Sequence, residues 1–519
     1  MTSARHPTGQ GEGQDVFDQL RQPILGRAIA AIALLTLWRV GMLWFGQIDL
    51  WVDEAQYWLW GQSFSFGSYS KPPLIGWLIG LSTGIVGDSV FGVRLAAPLI
   101  HAGTALAIIA LARELVDARA AALAGLVYAT MPAASLGSLL ISTDTPMLLA
   151  FAVALLAQQR LALRRSWRLA VLFGVAIGAG FLAKHAMLFA VAGMAAAAAV
   201  APAWRMARRD LLIGAAVALL LMAPNLWWIA SNGFVTVHHL AQSGTARGIG
   251  LHPMAALRFL AEQFAVMGPV AFAAFLLGAA GQGKVEQGKA AGGALRGLAV
   301  AAAVVLGIVL AQALGGRALA NWAVGFTVPG CIVAALWLAP RPRLAALSIG
   351  IGLAVAVALP LLSVFGTNWR GPDGRLLLAR YLGRAEVSGQ AIAFAQANGA
   401  RTIVVGDRGL LADLDWQARG TGIRVMATPH DGPPRHHWDL VKPFDPAVPG
   451  PVVVLQPGPQ PVVCAPAAAT PAAPSAPAAP GRAEGLPSLS WTAGPGFAEG
   501  RVFSLSLTFP DCLMDVFRD

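Results

Sequence analysis

Residues 73–86, PLIGWLIGLSTGIV, decide how this chain is threaded. The run is apolar, but it is short, rich in glycine and opened by Pro72-Pro73. A membrane helix needs about 20 apolar residues. The run is therefore read as a helix lying at the interface or dipping into the bilayer. The basic residues test that reading. With 73–86 left out, alternate loops carry Arg113 and Arg119; Arg160, Arg164, Arg165 and Arg168; Arg205, Arg208 and Arg209; Lys284, Lys289 and Arg296; Arg341 and Arg343. Arg21 and Arg27 precede the first span on the same side. The positive-inside rule makes that side cytoplasmic. Counting 73–86 as a crossing would move every later loop to the wrong side.

The spans that remain are 24–46, 91–112, 120–141, 145–163, 169–183, 186–203, 211–231, 264–281, 297–315, 321–339 and 344–366. The pair 169–183 and 186–203 is short enough to be one broken hairpin. The polar stretch MTSARHPTGQGEGQDVF before the first span does not read as a signal peptide. The expected topology has the N-terminus inside. The loops at 47–90, 142–144, 232–263 and 316–320, and all that follows about 367, face outside.

Composition agrees. Of 519 residues, 56% are hydrophobic and 12% charged, about half the charge of a soluble domain. This excludes a large soluble enzyme and a disordered chain. The net charge of +11 suits cytoplasmic arginines, so no nucleic-acid partner is expected. Three cysteines (Cys331, Cys464, Cys512) are too few for a disulfide framework or a cysteine-based zinc site. Cys464 and Cys512 fall in the outer segment, where a disulfide between them is chemically allowed.

The tail is of different material. Residues 385–400 read as a helix, and TIVVG (402–406) as a buried strand followed by a loop. IRVMA (423–427), PVVVLQ (451–456) and RVFSLSLTF (501–509) read as further strands. APAAATPAAPSAPAAP (465–480) is an Ala/Pro linker. The expected domains are a cytoplasmic tail (1–23), a membrane domain (24–366) and an extracytoplasmic α/β domain (367–519).

Polar residues collect on the outer side. Asp53 and Glu54 follow the first span, then Tyr57, Trp58 and Trp60, an amphipathic aromatic stretch expected at headgroup level. Adjacent acids there are either a polar stop to the span or functional groups. Asp144, in LLISTDTPML, reads alone as part of a helix N-cap with Pro146 in the first turn. It emerges, however, on the same face as Asp53 and Glu54, and carboxylates there can orient and deprotonate a hydroxyl. Lys184-His185 interrupts an apolar stretch, where a lysine needs a counter-charge or a water-filled cavity. Arg317 and Asn321-Trp322 mark another outer turn. His238, His239 and His252 match no zinc pattern and read as surface histidines. Carboxylates and cations on one face suit an anionic lipid substrate, its phosphate held by cations and its tail by the bilayer.

These segments resemble a known family. Asp53-Glu54 with the YWLW run, Lys71-Pro72-Pro73, Thr143-Asp144-Thr145-Pro146, Lys184-His185 and Asn321-Trp322 are similar to polyprenyl-phosphate-sugar glycosyltransferases. The branch is the bacterial protein O-mannosyltransferase and aminoarabinose-transferase (ArnT-like) superfamily. The likeness covers roughly 24–366, and its specific part lies in 47–150. GDRGLLADLDWQA (406–418) and HHWDL (436–440) extend it faintly into the tail. It implies a GT-C fold, an α-helical polytopic membrane protein of about 11 (11–13) transmembrane helices. Interfacial helices occupy the first outer loop, and a small α/β domain follows.

The resemblance also implies roles. Asp53 is the catalytic base, with Glu54 and Asp144 completing the acidic site. Lys71 contacts the donor phosphate. Tyr57, Lys184, His185, Arg317 and Asn321 are further substrate or cavity contacts. The implied reaction moves a sugar from a polyprenyl phosphate, expected to be undecaprenyl phosphate, to a lipid, glycan or protein acceptor of the cell envelope. It would proceed by inverting displacement on the outer face of the bacterial cytoplasmic membrane. No cofactor is required and no metal ligand is assigned, although the outer acids and histidines leave room for a divalent metal. Two other readings compete. A lipid or lipid-linked-glycan transporter also places charges inside the membrane, but the chain shows no internal repeat. A mere membrane anchor leaves Asp53, Lys71, Asp144 and Lys184 without a purpose.

Overall fold

The computed structural model describes residues 23–245, 250–281, 289–459, 486–510 and 513–514. The linker 465–480 and both Cys464 and Cys512, with their allowed disulfide, lie outside the described residues. The chain divides into two compact units. The first comprises Met1–Trp44, Lys71–Leu78 and Arg94–Pro360, and the second Phe45–Ser70, Ile79–Val93 and Leu361–Asp519.

The first unit is helical. Among the described residues, seven helical runs are long and apolar enough to cross a membrane: Pro23–Phe45, Val90–Arg113, Asp144–Leu163, Arg208–Ser231, Gly292–Gly315, Ala320–Leu338 and Pro342–Phe365. Trp167–Ala183 and Met187–Val200 are shorter apolar helices, as the broken-hairpin reading allows. Leu34, Leu37, Leu212 and Leu220 stay exposed, the pattern of a helix whose outer face meets lipid rather than water.

Two expected spans are broken. The run 120–141 is two helices, Ala118–Thr130 and Pro132–Leu139, bent by 51°. Pro132 has no N–H for the helix ladder. Arg39, buried in the first span, supplies donors at this break, to the Ala129 carbonyl at 2.7 Å and Ser135 Oγ at 3.1 Å. The run 264–281 is not one straight span. It straddles a 113° bend between Pro253–Met267 and Pro269–Ala279. Gly268 turns there at φ +92°, backbone that glycine adopts without steric cost, and Pro269 starts the next helix.

Small residues let the shorter helices pack. A Cβ on Gly174 would lie 2.4 Å from the Gly214 carbonyl oxygen, so the Trp167–Ala183 and Arg208–Ser231 backbones meet directly. Phe272, Phe275 and Phe326 form an aromatic cluster, with ring centroids 5.5–6.0 Å apart.

The second unit holds a five-stranded sheet of β1 (Thr402–Val405), β2 (Arg424–Ala427), β3 (Val452–Pro457), β4 (Ser488–Thr492) and β5 (Val502–Thr508), in the order β2-β1-β3-β5-β4. β1 pairs parallel with β2 and β3, while β5 runs antiparallel to β3 and β4. The two buried parallel strands β1 and β3 carry near-continuous runs of valine, isoleucine and leucine, as parallel strands covered on both faces do. Two elements add to the sequence reading. β4 was not expected, and the loop after β1 is only Gly406-Asp407, beyond which a helix, Arg408–Gln417, begins. The Asp407 carboxylate caps that helix, accepting from the Leu410 N–H at 2.9 Å.

Candidate active site

In the first unit, the TDTP segment opens the Asp144–Leu163 helix, and Thr143 makes no side-chain cap bond. The Asp144 side chain is not a cap either; it turns sideways. Its Oδ1 accepts from Lys184 Nζ at 2.7 Å and its Oδ2 from Asn321 Nδ2 at 3.2 Å. Both partners of the ion pair are only 13% exposed, so the attraction is weakly screened. This is the counter-charge that Lys184 needed. Lys184 sits in extended backbone just after the Trp167–Ala183 helix, which projects it away from the helical ladder.

His185, in the turn before the next helix, packs edge-on against Phe181 at 4.9 Å. Burial pushes its pKa down to about 4, helped by the positive charge of Lys71 and opposed by Asn225. Lys71, His185, Lys184, Asp144 and Asn321 thus share one neighbourhood. Lys184 pairs with the carboxylate, and Lys71 lies close enough to His185 to act on it through its charge. Behind it, Thr145 Oγ1 lies 3.4 Å from His101 Nε2, and His101 Nδ1 lies 2.9 Å from the Tyr128 hydroxyl. Arg317 is exposed, and no contact among the described residues ties it to this group.

In the second unit, the Val52–Gly61 helix carries the acidic pair, and its two acids do different things. Glu54 is buried, and its Oε2 accepts from the Trp51 N–H at 2.9 Å. That bond satisfies an orphan donor at the helix start. Asp53 is 43% exposed and accepts from Arg408 Nη2 at 2.5 Å. The same guanidinium donates from Nε to Gln56 Oε1 at 2.7 Å. Asp53 is therefore the more accessible of the two acids.

The aromatic run faces protein rather than lipid or water. Tyr57, Trp58 and Trp60 are buried within this unit. Tyr57 stacks near Trp60 at 5.1 Å, Trp58 meets the edge of Trp416 at 5.1 Å, and Trp60 meets His437 at 5.6 Å. Trp58 also donates to Asp88 Oδ1 at 2.7 Å. A helix that looks amphipathic beside a membrane looks the same when its apolar face covers a protein domain.

Arg408 is the residue that sequence reasoning missed. It starts a helix at the carboxyl end of β1, beside the point where the parallel order reverses between β1 and β3. Crevices at that edge are where open α/β sheets present functional groups. One signal was available. A cation in the first turn of a helix opposes the macrodipole, so Arg408 needed a partner elsewhere. Among the described residues, no group of three or more His, Cys, Asp or Glu is placed to hold a metal ion.

Comparison with known proteins places the chain. Residues 70–228 match the family model described as dolichyl-phosphate-mannose-protein mannosyltransferase. The chain is 38% identical over 407 residues to the lipid A galacturonosyltransferase RgtD of Rhizobium johnstonii, covering 78% of this chain and 85% of that protein. Its fold is shared with ArnT of Cupriavidus metallidurans. The structure with undecaprenyl phosphate gives a TM-score of 0.61 at 15% identity, covering 83% of this chain and 93% of that one. The apo structure gives 0.58 at 13% identity, covering 86% and 93%. These relationships replace the transporter and anchor readings: the chain belongs to the ArnT-like superfamily of GT-C membrane glycosyltransferases.

Proposed function

We propose that this glycosyltransferase moves a galacturonosyl residue from a polyprenyl phosphate, undecaprenyl phosphate in bacteria, to a lipid A-type acceptor on the outer face of the cytoplasmic membrane. The observation that carries the reading is the cluster of two lysines at one place, Lys184 paired with Asp144 beside Asn321 and Lys71 near His185. Such a group favours a phosphate monoanion or dianion. The 38% identical relative, named for its lipid A galacturonosyl transfer, supports the acceptor and the sugar. The ArnT structure bound to undecaprenyl phosphate supports the donor class.

In this reading, Lys71 contacts the donor phosphate, and Lys184 and Asn321 keep Asp144 oriented. Asp53 takes the proton of the acceptor hydroxyl as its oxygen attacks the anomeric carbon. The carbon–oxygen bond to the polyprenyl phosphate breaks, and the leaving group departs as a phosphate anion. It needs no protonation, so a single acid–base group suffices, and the anomeric centre inverts. No step calls for a cofactor, and a chelator is expected to leave turnover unchanged. Glu54 and Tyr57 serve by holding the Val52–Gly61 helix in place.

The test is mass spectrometry of lipid A from a deletion strain beside its complemented parent. The complemented strain should carry the added mass of one hexuronosyl residue, which the deletion strain lacks. Identical lipid A in both would refute the acceptor.

A further inference from the structure

An apolar groove of about 260 Å³ opens in the first unit at the arginine-bearing ends of three spans. Its walls include Ala28 of the Pro23–Phe45 helix, Leu123 and Leu126 of the Ala118–Thr130 helix, and Ala345 of the Pro342–Phe365 helix. Arg27 and Arg119 also line it, from two different helices. Both are exposed.

Three other arginines on this side are engaged within the protein. Arg160 pairs with Glu114 at 2.6 Å. Arg205 donates to the Ala198 and Ala199 carbonyls at 2.9 and 3.0 Å. Arg341 stacks over Trp337 at 3.9 Å and donates to its carbonyl at 2.6 Å. Arg27 and Arg119 have no ion pair or side-chain hydrogen bond among the described residues. Two guanidinium groups with no counter-charge among the described residues, beside an apolar slot between membrane helices, match one ligand chemistry, an anion attached to a hydrocarbon chain. Guanidinium groups bind phosphate through paired N–H donors.

We propose that this groove is a binding site for an anionic glycerophospholipid of the cytoplasmic leaflet, with an acyl chain against Leu123, Leu126 and Ala345 and the phosphate between Arg27 and Arg119. Ordinary boundary lipid would not depend on two particular arginines. The site uses none of the residues assigned to sugar transfer, so it stands independently of that assignment.

The experiment uses the full chain, purified and stripped of lipid in a neutral detergent. Thermal unfolding is followed with added phosphatidylglycerol, or with phosphatidylcholine of the same acyl chains. Phosphatidylglycerol should raise Tm by about 3 °C or more, and phosphatidylcholine by much less. Arg27→Gln/Arg119→Gln should lose the difference. Ala345→Phe, which fills the groove and keeps both arginines, should lose it as well, and it serves alone if the double variant does not fold. Equal responses to the two lipids, or a full response in Ala345→Phe, would overturn the proposal. So would a response to inorganic phosphate alone, or to polyprenyl phosphate but not phosphatidylglycerol.

Discussion

Arg408 holds Asp53: its Nη2 donates to Asp53 Oδ1 at 2.5 Å while its Nε donates to Gln56 Oε1 at 2.7 Å. One guanidinium thus fixes the carboxylate assigned as base to a residue one helical turn further along the same helix. A charge-assisted hydrogen bond is worth about 1.5–3 kcal/mol, less where solvent reaches it.

The first prediction follows from that bond. Arg408→Ala should bind donor normally but lose about 10-fold in kcat, equivalent to roughly 1.4 kcal/mol of barrier. Arg408→Lys keeps the charge but cannot span both acceptors, so it should fall between. Added guanidinium ion should restore part of the Arg408→Ala rate. An Arg408→Ala enzyme with unchanged kcat would show that the contact only anchors the helix.

Stability and activity should separate at the Asp144–Lys184 pair. Lys184→Met leaves a largely buried carboxylate without its cation, a loss of about 3–5 kcal/mol for a fully buried pair and less here. Adding Asp144→Asn removes the stranded charge and should recover most of the Tm, but not the transfer activity. Thermal unfolding and turnover measured on the same three proteins check this. Recovery of both together would make the pair purely structural.

Lys71 should act on the donor. Lys71→Ala should raise KM for the polyprenyl-phosphate sugar more than Lys71→Arg does, because only the alanine removes the charge. Equal kinetics for wild type and Lys71→Ala would reduce the lysine to an interfacial anchor.

Asp413 supplies a pH test within the second unit. Burial pushes its carboxyl up to about 6, while the Ser388 hydroxyl, donating at 2.5 Å, pulls the other way. Because the folded value is raised, the stability tied to this group is fully present below the unfolded value near 3.8 and is lost as pH rises through about 6. The loss amounts to about 3 kcal/mol at most. Asp413→Asn should flatten the dependence of unfolding on pH between 4 and 7. An unchanged slope would place the titration elsewhere.

Much of this was legible in the chain because the membrane imposes simple rules. Length and apolarity located the long helices, and Lys184, a cation in apolar surroundings, announced a partner that proved to be Asp144. The 113° turn at Gly268 was hidden because hydropathy does not register backbone direction. The burial of Tyr57, Trp58 and Trp60 was hidden for a different reason. Aromatic residues suit an interface and a protein core equally, and only the fold of the tail decides between them. Arg408 lies 355 residues from Asp53, and no local pattern reports a pairing over that distance.

The central claim is that Asp53 takes the acceptor proton. Asp53→Asn keeps the size of the side chain and removes its basicity. With purified protein, a polyprenyl-phosphate sugar and a lipid A acceptor, single-turnover transfer should fall by about 10²–10⁴-fold while donor binding and Tm stay near wild type. Near-normal transfer by well-folded Asp53→Asn would contradict the account.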